Sequence, residues 1–127
     1  MVTGAQRPVV LHVEDNPSNR KVVQHIFRSV DAELIEATDG ESGLQAARQR
    51  LPDLILLDMH LPGASGYQVV AQLKADDRTR EIPVIAVTSD AMTVDEKRAR
   101  AAGCDDYVAK PYRPHQLLDA IRRHVCC

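Results

Sequence analysis

The stretch Leu54-Ile55-Leu56-Leu57-Asp58 narrows the choice of folds more than any other part of the chain. Four apolar residues in succession, with Pro52 before them and Pro62-Gly63 after, leave no room for a helix of ordinary length. The run is therefore expected to be a strand buried on both faces, as in a parallel sheet covered by helices. Its last residue, Asp58, then stands where a buried strand surfaces, at the carboxyl edge where open α/β sheets place their ligands. Taken alone, such an Asp caps a turn as readily as it does chemistry. The ends of the other strands decide between the two.

The same design repeats along the chain. Pro8 to Val13 reads as a strand that runs into Glu14-Asp15-Asn16-Pro17, where Asn16 suits an N-cap and Pro17 the first helical position. Val22, Val23, Ile26, Phe27 and Val30 recur at helical spacing and predict a helix from Pro17 to about Ser29. Glu33 to Ala37 is a second strand, and Thr38-Asp39-Gly40-Glu41 a turn and cap for a helix carrying Leu44, Ala47 and Leu51. Ser65-Gly66 opens a helix with Tyr67, Val69, Val70 and Leu73. Val84 to Thr88 is again apolar until its polar last residue. A short, mostly charged helix over Val94 to Ala102 stops at Gly103-Cys104. Asp106 to Lys110 forms a brief fifth strand, and an amphipathic helix from Pro114 carries Leu117, Leu118, Ile121 and Val125. Five strand-helix units predict an α/β fold, one five-stranded parallel sheet doubly wound with helices on both faces.

A length of 127 residues with 44% apolar content suits a single domain, with its core at about residues 9–125 and tails at 1–7 and 126–127. Aromatics are 3% with no Trp, so the core must be Val, Ile, Leu and Ala, and no surface for stacking bases is expected. A net charge of -2 offers no basic field for a phosphate backbone, which argues against direct nucleic acid binding. No apolar run approaches the roughly 20 residues of a membrane span, and the polar start lacks a signal core, so no membrane insertion and a cytoplasmic location are expected. Cys104, Cys126 and Cys127 make neither a disulfide framework nor a C-x-x-C motif.

Set side by side, the strand ends collect Glu14 and Asp15, Asp58, Thr88 and Lys110 on one edge. Three carboxylates crowded together repel one another and raise their own pKa values unless a cation neutralises them. All-oxygen donors favour Mg²⁺ or Mn²⁺. Asp15 and Asp58 are the expected direct ligands, with Glu14 acting through a metal-bound water and the backbone carbonyl of His60 completing the protein's share. The His60 side chain is expected to be exposed. With a metal and a lysine beside it, Asp58 has what a phosphoryl acceptor requires: Lys110 would pair with one phosphoryl oxygen and the Thr88 hydroxyl would donate to another.

These residues carry a resemblance. Val13-Glu14-Asp15-Asn16, the segment from Leu56-Leu57-Asp58 to Gly66, Val87-Thr88-Ser89, Ala102-Gly103-Cys104 and Tyr107-Val108-Ala109-Lys110-Pro111 are similar in order and spacing to the receiver domains of two-component response regulators, over about Val9 to Val125. The resemblance implies the strand order 2-1-3-4-5. It implies that Asp58 takes a phosphoryl group from phosphohistidine on a histidine kinase or histidine phosphotransfer protein, with Mg²⁺ held by Glu14, Asp15 and Asp58. It further implies that Thr88 and Tyr107 are a switch pair acting on the face of helix 4, strand 5 and helix 5. The Lys110-Pro111 peptide would be cis, and helix 1 with the loop after strand 5 would dock the phosphodonor. His60, Ser89 and Asp90 resemble positions that tune phosphate lifetime. Ser89 stands where a smaller residue is frequent.

Three alternatives compete with this reading. An aspartyl-nucleophile phosphatase would want a second acid two residues after Asp58, where His60 stands, and a cap insertion that is absent from the sequence. A pseudo-receiver that binds partners without phosphorylation is set against by competent residues at the acceptor-site positions. A flavin or nucleotide module would want a glycine-rich loop after the first strand.

Overall fold

The computed structural model describes residues 7–63, 65–88 and 93–125. Its elements alternate: β1 (Val9–Val13), α1 (Pro17–Phe27), β2 (Glu33–Ala37), α2 (Gly40–Arg50), β3 (Leu54–Asp58), α3 (Gly66–Ala75), β4 (Val84–Thr88), α4 (Thr93–Ala102), β5 (Asp106–Ala109) and α5 (Pro114–Arg122). The strands form one parallel sheet in the order β2-β1-β3-β4-β5. All five residues of β3 and all five of β4 are buried, as unbroken apolar runs between two helical layers require.

Alternation along β3 sends Leu54 and Leu56 to one face and Ile55 and Leu57 to the other. The first face is closed by Val23, Ile26 and Phe27 of α1 with Leu117, Ala120 and Ile121 of α5. The second is closed by Leu44 and Ala47 of α2, Val69, Val70 and Leu73 of α3, and Ala99 of α4. Burying each of the larger side chains stabilises the fold by about 1.5–3 kcal/mol. The helix starts follow local chemistry. Asn16 Oδ1 accepts from the N–H groups of Ser18 and Asn19 at 2.8 and 3.2 Å, and Asp39 and Ser65 each form a capping box.

Two apolar residues expected on core faces lie outside. Val22 is 49% exposed. Val23, Ile26, Phe27 and Val30 already fill the stripe that meets the sheet, and Val22 is rotated off it toward Pro111 and Tyr112. Leu51 is 53% exposed because it is the C-cap of α2, with φ 44° in the left-handed region, and no longer belongs to the helical face. The proposed roles of Ser89 and Asp90, and the cysteines at 126 and 127, fall outside the described residues. No helix among the described residues is long and apolar enough to cross a membrane.

The loop after β3 is fixed by close backbone approach. The Met59 N–H donates to Val87 O at 3.2 Å, and the Gly66 N–H donates back to Met59 O at 3.1 Å. A Cβ on Gly66 would fall 2.5 Å from Met59 Cα and 2.8 Å from Asp58 O. Gly66→Ala is therefore expected to destabilise the protein by about 1–3 kcal/mol through overpacking against backbone that cannot yield. Urea unfolding checks this, and a variant as stable as the wild type would show that the loop can open.

Candidate functional site

In-register pairing places Val13 beside Leu57, Asp58 beside Val87 and Thr88 beside Ala109, so the carboxyl ends of β1, β3, β4 and β5 form one edge. The chain leaves β1 for β2 on one side and has β3 on the other. The crevice between these paths is the topological switch point, where ligands bind in open α/β sheets. Glu14 and Asp15, next after β1, meet Asp58 there, with one carboxylate oxygen from each lying within 4.8 Å of the others. Glu14 and Asp58 are buried and Asp15 is exposed.

Lys110 reaches in from the end of β5. Its Nζ donates to Glu14 Oε1 at 2.8 Å and lies 4.0 Å from Asp58 Oδ2. The peptide linking Lys110 to Pro111 is cis, and the Lys110 N–H donates to Thr88 O at 2.7 Å. Thr88 is buried at the end of β4, and Tyr107 is half-buried against the α2–α3–α4 side of the core. The His60 side chain is exposed, while its N–H donates to Asp58 Oδ1 at 3.0 Å.

The two buried acids are driven apart. Burial opposes ionisation of Glu14, but hydrogen bonds from Lys110 and from the Asn16 N–H outweigh it and hold this carboxyl below its ordinary range. Asp58 is pushed up to about 6, first by burial and then by the Glu14 charge, against the His60 N–H and Lys110. His12, buried beneath the site, is lowered to about 4 mainly by burial, which keeps its imidazole neutral at neutral pH.

Three carboxylates face one lysine, and every side-chain donor atom in the cluster is oxygen. That set fits a hard divalent cation such as Mg²⁺.

Two contributors went unread in the sequence. Arg20 of α1 places Nη1 3.1 Å from Glu14 O and 3.0 Å from Asp15 O. Tyr112 is half-buried with its hydroxyl pushed up to about 12, by burial first and then by the Glu14 charge. An Arg in the first turn of a helix runs against the macrodipole, and was the signal available for Arg20. Nothing in the sequence pattern distinguishes Tyr112 from an ordinary aromatic.

The family model of the response regulator receiver domain matches residues 10–122. The chain belongs to this family. Among curated relatives, the polar-differentiation response regulator DivK of Brucella anthropi is 41% identical over 116 residues, spanning 91% of this chain and 94% of that protein. Among solved structures, the receiver domain of the sensor histidine kinase PA1611 of Pseudomonas aeruginosa is 32% identical with a TM-score of 0.86, covering 94% of this chain and 98% of that one, and holds a magnesium ion in its active site cleft. The chemotaxis protein CheY4 of Vibrio cholerae is 25% identical with a TM-score of 0.88, covering 94% of this chain and 100% of that one. Receiver domains are signalling modules and not conventional enzymes, and the acidic pocket here fits their phosphoacceptor role in two-component signalling.

Because the folded pKa of Asp58 lies above its ordinary 3.8, its contribution favours the fold while the group is protonated and is lost as pH rises through about 6. Glu14, shifted downward, acts in the opposite sense. Asp58→Asn should therefore stabilise the metal-free receiver at about pH 8 by about 1–3 kcal/mol, with the gain shrinking as pH falls from about 6 toward 3.8 and gone below that. Urea unfolding across pH checks this, and a gain independent of pH would contradict the buried charge.

Proposed function

We propose that this receiver domain, a single domain spanning the chain, accepts a phosphoryl group on Asp58 from the phosphohistidine of a histidine kinase or histidine phosphotransfer protein. The observation that carries the reading is the meeting of Glu14, Asp15 and Asp58 within 4.8 Å, with Lys110 Nζ 4.0 Å from Asp58 Oδ2. In the transfer, an Asp58 carboxylate oxygen forms the new bond to phosphorus as the nitrogen–phosphorus bond of the donor breaks. The electron pair stays on the imidazole nitrogen.

Glu14, Asp15, Asp58 and the His60 carbonyl would hold Mg²⁺, or Mn²⁺, which supplies charge neutralisation of the phosphoryl oxygens when bound. Lys110, lying between Glu14 and Asp58, offers its ammonium to one phosphoryl oxygen, and the Thr88 hydroxyl donates to another. The buried setting of Asp58 limits water around the nucleophile. His60, Ser89 and Asp90 set how long the acyl phosphate lasts.

Phosphorylation draws on Thr88 and Tyr107 as a switch pair and changes the face of α4, β5 and α5. Light anchoring of α4 supports this: Ala99 is its one fully buried side chain among those described. The donor docks against α1 and the β5–α5 loop, where Asn19, Val22, Lys110, Pro111 and Tyr112 line a groove of about 400 Å³ next to the site. The exposure of Val22 there supports a protein partner. The receiver works in the cytoplasm, through proteins and not by binding nucleic acid.

Intact-mass measurement after treatment with acetyl phosphate and Mg²⁺ tests the reading, followed by a phosphohistidine donor. The wild type should gain one phosphoryl group and Asp58→Asn none. Lys110→Ala should be labelled about 100-fold more slowly or worse. Equal labelling of Asp58→Asn, or no labelling of the wild type by either donor, overturns the assignment.

A further inference from the structure

We propose that Arg20 is a positioning residue for the cation site, acting through the backbone that carries Glu14 and Asp15. The inference rests on the metal-dependent reading above. Arg20 is the fourth residue of α1, counting Pro17 as first, and a cation this near a helix N-terminus is disfavoured by the macrodipole. Among the described residues it bonds no carboxylate. Its Nη1 bonds instead the carbonyl oxygens of Glu14 and Asp15, at 3.1 and 3.0 Å.

The contact matters because of how the two acids are held. Glu14 has its carboxylate fixed by Lys110 and the Asn16 N–H, and its own N–H donates to Ala37 O at 2.9 Å. Asp15 has no such support: its carboxylate is exposed and has no hydrogen-bond or ion-pair partner among the described residues. Only the direction of its peptide aims the Asp15 side chain at the cluster, and Arg20 is what grips that peptide at its carbonyl. Backbone carbonyls at the strand-to-helix junction would otherwise turn to water, and the loop would sample orientations that carry the carboxylate away. Arg20 itself is half-buried, lying near enough to His12 to help hold that imidazole neutral. The guanidinium is thus braced between helix and strand end.

Two effects of Arg20 on a bound cation have opposite signs. As a charge, it repels the metal, so removing it would tighten binding. As an anchor, it presents Asp15, so removing it weakens binding. Arg20→Met keeps length and apolar bulk while losing charge and donors, and Arg20→Lys keeps the charge and one compact donor group.

Mg²⁺ titrated into the full chain, followed by the amide NMR shifts of Asp15, Asn16 and Met59, reads affinity without any phosphodonor. Arg20→Met is expected to bind Mg²⁺ roughly 10-fold or more weakly, as loss of outer-shell support does elsewhere, with Arg20→Lys in between. Labelling by acetyl phosphate should recover toward the wild-type rate as Mg²⁺ is raised, a shift in metal requirement that general loss of structure does not produce. Unchanged or tighter binding by Arg20→Met overturns the inference while leaving the proposed function standing. Failure of the wild type to bind Mg²⁺ overturns the proposed function, and the inference with it. Should Arg20→Met not fold, by the dispersion of its amide spectrum, Arg20→Gln decides in its place by the same criteria.

Discussion

The ion pair between Lys110 and Glu14 is the interaction on which the site's arrangement turns. A carboxylate as buried as Glu14 is costly unless paired and hydrogen-bonded, and Lys110 reaches it from a residue 96 positions away at 2.8 Å. Through that one contact the end of β5 is tied across β4 and β3 to the end of β1. It also assigns roles to the acids. With Glu14 compensated, Asp58 is left as the buried carboxylate whose ionisation is opposed, and so the group most changed by a cation or a phosphoryl group.

The sheet gives this cluster a rigid base. β3 and β4 are buried on both faces, and their last residues, Asp58 and Thr88, inherit positions that the core does not allow to drift. The elements around the edge are held differently. Among its described side chains, α4 contributes little apolar burial and is tied largely by polar contacts: Arg98 stacks 4.0 Å from the centroid of the Tyr67 ring, and Arg100 lies 3.9 Å from Asp106. Contacts of this kind are individually weak at exposed positions. A fixed Asp58 beside a lightly held helix suits the proposed switch of the α4, β5 and α5 face.

At the opposite end of β5, Asp106 accepts from Arg123 Nε at 3.0 Å and is 3.2 Å from His124 Nε2, fastening the close of α5 to the sheet. Lys74 similarly joins the carbonyl of Ile82, at 2.9 Å, to the Asp105 carboxylate at 3.2 Å. These contacts brace the loops far from the site, so the strand ends that carry chemistry need not also hold the fold together.

Much was legible in the sequence because strand ends are punctuated. Pro52 and Pro62-Gly63 bracket β3, Asn16-Pro17 opens α1 and Gly103 closes α4, so Glu14, Asp15, Asp58, Thr88 and Lys110 could be placed on one edge from the chain alone. The caps at Asn16, Asp39 and Ser65 are local and were equally open to reading. Tertiary structure alone decided that Val22 and Leu51 face outward, that Lys110 pairs with Glu14, and that Arg20 grips the peptides of the two acids. The physical reason is range. Periodicity and capping report interactions within a few residues, which fix what each element is and which face is apolar. The partner of a long charged side chain depends on how elements separated in sequence are brought together, and that is set only when the whole sheet is assembled.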